Sequence, residues 1–331
     1  MCSRLCRWPA GAALVSVAVL SWSLLPIGLK CLTTSLATDQ IVFARFLVAV
    51  LVMAPFALGP AGRRREHLTI IRKHWRPLLA LAAVGIVFPQ LLFTWSIRHL
   101  PAGVASFLGF SHPVFSMLFA AAFLRERRLG RWGLFVTTLL LAMGLGLLAV
   151  RDPVTLLEGG NNGWLSSPAL LGLAVPLLWG LSSLLAKVLL RDQIAPPMVI
   201  AWWRVAAGTM FVGLVVAARG GFDASFVEGL DGNSVMWLLV LGVFSVAIGV
   251  SAYFAGLERV SLTTASALEA CVAPLGAFIA VVFLPEEHLL WHQWLGGGVV
   301  FLAALLPIVL PRLRRAGRSA GVVQREMGGG D

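Results

Sequence analysis

Between Arg259 and Glu286 the only Lys, Arg, Asp or Glu is Glu269, set among Ala, Leu, Val and Thr. A carboxylate in so apolar a run is costly unless it faces a polar cavity or a partner. One that passes between wet and dry surroundings can take up and release a proton. Glu269 is therefore a candidate for proton coupling or for gripping a substrate amine. Its structural alternative is an ion pair or hydrogen bond between helices. His112, just before Pro113, is the second candidate. It could act in a proton relay, or stay neutral and bond a carbonyl that the proline frees. Gln90, beside Pro89, is a polar group able to reach a cavity. Trp22 and Trp179 offer aromatic walls for an amphipathic substrate, or else packing and interface anchors.

Pro26, Pro89, Pro113, Pro176 and Pro274 fall inside apolar runs. Each removes a backbone hydrogen bond and can kink or hinge a helix. Arg45, Arg204, Lys30 and Lys187 read as structural charges that snorkel toward water, the arginines alternatively locking helices through backbone carbonyls. Other chemistries lack their residues. Cys2, Cys6, Cys31 and Cys271 include no Cys-x-x-Cys pair, so neither a zinc site nor a disulfide framework is indicated. His288 and His292 are four apart but lack the His-Glu-x-x-His pattern and a third ligand. No Gly-x-Ser-x-Gly elbow or Walker loop occurs. No metal, cofactor or enzymatic activity is expected. The alternative, a membrane-embedded enzyme acting on lipid or a lipid-linked substrate, requires clustered polar catalytic residues at one interface.

The elements that must position these residues follow from composition. Hydrophobic residues make up 59% of the 331 and charged residues only 12%, against roughly 25% charged in a soluble domain. Residues 164–186 and 232–257 carry no Lys, Arg, Asp or Glu, and each is long enough to cross the hydrocarbon core as a helix. The runs do not alternate in polarity, which excludes a barrel, and a helix satisfies its own backbone in lipid. The expected fold is an all-α integral membrane protein. Its ten spans are read at residues 10–29, 40–60, 78–97, 102–124, 132–150, 169–189, 198–218, 235–257, 261–284 and 289–310. The first exceeds the usual apolar core of a cleaved signal peptide, so it reads as a retained span.

The net charge of +11 sits in a few loops, which speaks against nucleic-acid binding. With the N-terminus inside, nineteen of the 26 Lys and Arg fall in inside segments and four outside. That bias predicts cytoplasmic termini, with Arg63–Arg65 and the Arg125–Arg131 cluster doing most of the orienting. Residues 1–9 form a cytoplasmic tail, 151–168 an extracytoplasmic linker, and 311–331 a basic tail expected to be disordered.

The chain repeats. Trp22 precedes Lys30 as Trp179 precedes Lys187, and Arg45 and Arg204 lie early in the second and seventh spans. Phe93, Arg98, Pro113 and Glu126 recur at a constant offset of 161 as Phe254, Arg259, Pro274 and Glu287. By that offset Leu108 is equivalent to Glu269, and His112 lies one turn from it. Residues 10–150 and 169–310 then form two five-helix repeats. An odd helix number inverts the second repeat in the membrane, and inverted repeats imply a secondary transporter with alternating access. Gly242, Gly249 and Gly256 make a seam where another helix can approach closely.

On these residues the chain resembles the EamA-type carriers of the drug/metabolite transporter superfamily. The resemblance spans about residues 10–310. It rests on the two Trp-x7-Lys ends, Ala44-Arg45-Phe46, Phe110-Ser111-His112-Pro113-Val114-Phe115 and Phe123-Leu124-Arg125-Glu126-Arg127. Leu268-Glu269 and Ala273-Pro274-Leu275 echo the family's Leu-Glu-Pro segment, departing from it at Ala270; Phe283-Leu284-Pro285-Glu286 replaces the usual Leu-Gly-Glu ending. The resemblance implies a ten-helix exporter or exchanger of amino acids, related metabolites or drugs in a bacterial-type inner membrane, with a central cavity between the halves. Its expected partners are a small-molecule substrate, protons and the lipid bilayer.

Overall fold

The computed structural model describes residues 2–59, 62–126, 131–149, 172–284, 286 and 288–306, with side chains from residue 9 onward except at 62–68, 131, 134 and 149. The expected linker at 151–168, the tail at 311–331, Glu287 and the side chains of Cys2, Cys6 and Arg63–Arg65 lie outside that description. Among the described residues there are helices and turns but no strand. Eight helices are long and apolar enough to cross a membrane: α1 (Pro9–Leu32), α2 (Thr38–Leu58), α3 (Thr69–His99), α4 (Ala102–Phe123), α6 (Ala174–Arg191), α7 (Pro197–Ala218), α8 (Gly232–Arg259) and α9 (Leu262–Phe283). Two shorter apolar helices, α5 (Phe135–Leu148) and α10 (Trp291–Leu306), complete the series. Large apolar side chains such as Leu51, Phe56, Phe123 and Phe278 lie exposed on the outer faces, where a soluble protein would need charge. The chain is a multi-pass membrane protein.

Helix packing interleaves the chain. The first helix, α1, lies along α8 and α9, whereas α6 lies along α3 and α4. Helix α2 packs against α7, and α4 crosses α9. The glycine seam of α8 is where α1 and α2 come close. A Cβ at Gly256 would stand 2.9 Å from Gly11 O, and one at Gly242 2.8 Å from Arg45 O. Close backbone approach of this kind substitutes for the hydrophobic effect in lipid. Outside the spans, Asp231 caps α8 by accepting from Ser234 N at 2.7 Å. Its bonds with Ser234 hold that carboxyl below the usual range.

Candidate functional site

Proline placement decides where the helices bend. Pro113 has no N–H for the carbonyl of Gly109, four residues back, and Pro274 none for Ala270. Helix α4 is accordingly split into Ala102–Gly109 and His112–Phe123. Helix α9 is split at the equivalent place, into Leu262–Glu269 and Val272–Phe283. Helix α1 breaks at Leu24, just before Pro26. Pro89 likewise leaves Gly85 O unserved, and α3 widens into a π-helix over Ala83–Val87. Arg204 Nη2 takes that carbonyl at 2.9 Å. Helix α8 has no proline but also carries π turns, Leu241–Ile248. There Gly249 N–H bonds Phe244 O and Val246 O, passing over Ser245 O. Trp22 Nε1 fills the gap, donating to Ser245 O at 2.9 Å. Pro176 falls in the first turn of α6, where its missing N–H costs nothing, and α6 runs unbroken.

These irregular segments surround one cavity of about 60 Å³, room for roughly four waters. All eight long helices line it. They contribute Trp22 and Leu25 (α1), Arg45 and Phe46 (α2), Ile86 and Gln90 (α3), Phe110 and His112 (α4), Trp179 and Ser183 (α6), Arg204 (α7), Ser245, Val246, Val250 and Tyr253 (α8) and Glu269 (α9).

At the two helix breaks His112 Nε2 meets Glu269 Oε1 at 3.2 Å. Tyr253 donates its hydroxyl to Glu269 Oε2, also at 3.2 Å. Glu269 is only 1% exposed and His112 4%, so both carboxylate oxygens have a partner from another helix. Carboxyl, imidazole and phenol in one chain can hold a proton and pass it between neighbours with small motions. The aromatic walls lie on both sides. Trp179 stacks on Phe110 with ring centres 5.5 Å apart and meets His112 edge-on. Trp22 leans on Tyr253 at 5.2 Å.

Arg45 and Arg204 enter from α2 and α7, each seven residues after the first residue of its helix, about 10 Å along the axis. Arg45 is fully buried and Arg204 9% exposed. Neither snorkels; Arg204, bonded to Gly85 O, follows the alternative of locking helices through a backbone carbonyl. Arg45 Nη2 donates to Gln90 Oε1 at 2.6 Å. Its guanidinium lies 4.8 Å from the centre of the Phe46 ring, and that of Arg204 5.5 Å from Phe254. An inward charge at such depth costs about 2.5–3.5 kcal/mol on insertion scales. The lysines do not simply snorkel either. Lys30 Nζ donates to Ile97 O and Leu100 O at 3.2 and 3.1 Å, where α3 turns into α4. Lys187 Nζ donates to Leu257 O and Val260 O, both at 2.7 Å, where α8 turns into α9. Glu126, just after α4, receives Thr263 N and Thr263 Oγ1 at 3.1 and 2.8 Å. It thereby caps the positive end of α9.

The profile of the EamA-like transporter family matches residues 9–150 and again residues 166–309. The chain belongs to the EamA-like transporter family. Among its relatives, a probable terminal-alkyne amino-acid exporter of Streptantibioticus cattleyicolor is 30% identical over 73% of this chain and 75% of its own length. A transporter of Haemophilus influenzae is 24% identical over 90% of this chain and 94% of its own. The inner membrane transporter YhbE of Escherichia coli is 25% identical over 61% of each chain. A solved crystal structure superposes with a TM-score of 0.63 at 17% identity, covering 92% of this chain and 98% of the other. At that identity the likeness shows the fold alone.

In this EamA-like chain, Glu269, His112, Gln90, Trp22 and Trp179 all line the one cavity, and Pro26, Pro89, Pro113 and Pro274 sit at the irregular segments around it. His288 is exposed while His292 is buried. Sequence reasoning passed over Tyr253, although it is the one tyrosine among 331 residues, beside 19 Phe and 12 Trp. It also missed Ser183 and Ser245, whose hydroxyl type is too common in membrane helices to stand out.

Proposed function

We propose that this protein is a secondary carrier that exports an amino acid, a related metabolite or a drug-like solute across a bacterial inner membrane. One observation carries the reading. His112 and Glu269 meet at the matching breaks of α4 and α9, on the wall of a cavity that every long helix lines. Broken helices that meet around a small polar chamber are how carriers hold solute while opening to one side at a time. In this reading ten helices cross the membrane as two inverted five-helix halves, residues 10–150 and 169–310, with both termini in the cytoplasm. The double family match supports the halves, as do the parallel roles of Lys30 and Lys187. The Lys and Arg bias supports the orientation. Export and an amino-acid-like cargo draw on the relative described as an amino-acid exporter. The Glu269, His112 and Tyr253 cluster couples the cycle to protons, with Glu269 taking either a proton or the cargo's amine.

Counterflow in proteoliposomes tests this reading. Labelled amino acids and drugs should exchange across the wild-type protein without being chemically changed; product formation would instead favour the enzyme. Glu269→Gln should insert at normal abundance and lose the flux. Unaltered flux and pH dependence in that variant would sink the proposed coupling. Labelling of the Arg63–Arg65 stretch from outside the cell would overturn the orientation.

A further inference from the structure

Two guanidiniums and one carboxylate line the cavity, so its fixed charge is unbalanced. Glu269 contacts His112 and Tyr253 rather than bonding either guanidinium directly. Arg45 uses Nη2 on Gln90, and its Nε and Nη1 are buried without a partner among the described residues. Arg204 uses Nη2 on Gly85 O, and its buried Nε is likewise unpartnered. An arginine kept only to lock helices would spend these donors on carbonyls, as the two lysines do. Unspent donors on a buried guanidinium suit an anionic oxygen. Aromatic rings also lie beside both guanidiniums, which leaves their edges to do the binding. The architecture protects this arrangement. Gly85 has no side chain, and a Cβ there would press on the Arg204 guanidinium and stand 2.6 Å from Ser182 Oγ.

We propose that Arg45 and Arg204 together bind the carboxylate of the cargo, so that the protein carries molecules with a free carboxylate and a short side chain. The inference rests on the reading of this cavity as the cargo site and adds the group by which cargo is selected. The small volume favours a body of amino-acid size, its apolar part lying between Trp22 and Trp179.

The test is ligand-induced thermal stabilisation of the detergent-purified full chain. The probes are matched sets built on alanine, methionine, leucine and phenylalanine: the free acid, its amide and the decarboxylated amine. At least one free acid should bind, with its amide and amine at least tenfold weaker. Arg45→Gln and Arg204→Gln should each lose that preference. Equal binding of amide and acid overturns the inference, as does undiminished acid preference in both variants, or no binding by any acid. Should the arginine variants not fold, the acid-to-amide ratio of the wild type decides alone. Ser183→Phe fills the cavity from α6 and separates the two levels. Acid binding lost in Ser183→Phe, with no acid preference in the wild type, leaves the cavity reading standing and removes the carboxylate. Acid binding unchanged in Ser183→Phe removes both.

Discussion

Replacing Lys187 by Met keeps most of the side chain's bulk and deletes its charge. In the structure Lys187 Nζ holds Leu257 O and Val260 O, each at 2.7 Å, and so ties the end of α6 to the turn between α8 and α9. Hydrogen bonds from a charged donor contribute about 1.5–3 kcal/mol each when buried. Lys187 is half-buried, and water can take over carbonyls at a helix end, so about 2 kcal/mol for the pair is the figure to use. That energy stabilises the observed arrangement relative to one in which the turn swings away. Losing it shifts the ratio of the two about 30-fold. Lys30 makes the corresponding bonds at the α3–α4 turn at 3.2 and 3.1 Å. These are longer, and Lys30→Met should shift its own equilibrium only about fivefold, roughly 1 kcal/mol.

The assay is labelling of a single cysteine at Ser183, a cavity-lining position, in an otherwise cysteine-free chain. An impermeant maleimide is added to vesicles of either orientation. Lys187→Met should speed labelling from the face that carries the α8–α9 turn, and Lys30→Met more weakly from the opposite face. If both variants speed labelling from the same face, or if Lys187→Met leaves both rates within twofold of the parent, the lysines are structural ties only.

Tyr253→Phe removes one of the two bonds that hold Glu269 while keeping the contact with Trp22. Loss of about 1–1.5 kcal/mol predicts roughly tenfold slower counterflow, and a wild-type rate would take Tyr253 out of the proton cluster. Gly85→Ala pushes a methyl group against Arg204 and Ser182. It should cost about 1–3 kcal/mol, seen as a lower melting temperature in detergent. Gly146→Ala, where a Cβ meets nothing within 4 Å, serves as its control and should hold or raise that temperature. Equal melting of the two would show that the close approach at Gly85 is dispensable.

Depth in an apolar run marked Glu269 as a residue that needs a reason, and the proline beside His112 marked a helix break, because both rules act along the chain. The inward turn of Arg45 and Arg204 could not be read the same way. Helices α2 and α7 are apolar around much of their circumference, so no stripe shows which side faces the interior. A guanidinium seven residues from a helix start can reach water or a cavity equally well. The Arg45–Gln90 bond joins residues 45 apart in sequence, and only packing decides it. The π turns of α8 were invisible because no proline announces them. The seam of Gly242, Gly249 and Gly256 signalled a close neighbour but not which one; the neighbours are α1 and α2. Eight of the ten spans read by hydropathy reach membrane-crossing length among the described residues, where α5 and α10 are shorter.

The repeat itself sorts the cavity residues by role. Several residues that recur in both halves are mechanical. The Trp-x7-Lys ends tie one helix to the turn beyond another, and Pro113 and Pro274 break α4 and α9 at equivalent positions. In the proposed cycle such parts must match, because two halves that exchange conformations need the same hinges and ties. The groups of the Glu269 cluster and Gln90 do not recur. By the offset of 161, Glu269 stands opposite Leu108, His112 opposite Ala273, Gln90 opposite Ser251 and Tyr253 opposite Leu92. A proton-binding cluster duplicated across the axis would place two carboxylates in one small dry space, where like charges cannot both ionise. Asymmetric chemistry on a symmetric frame avoids that conflict.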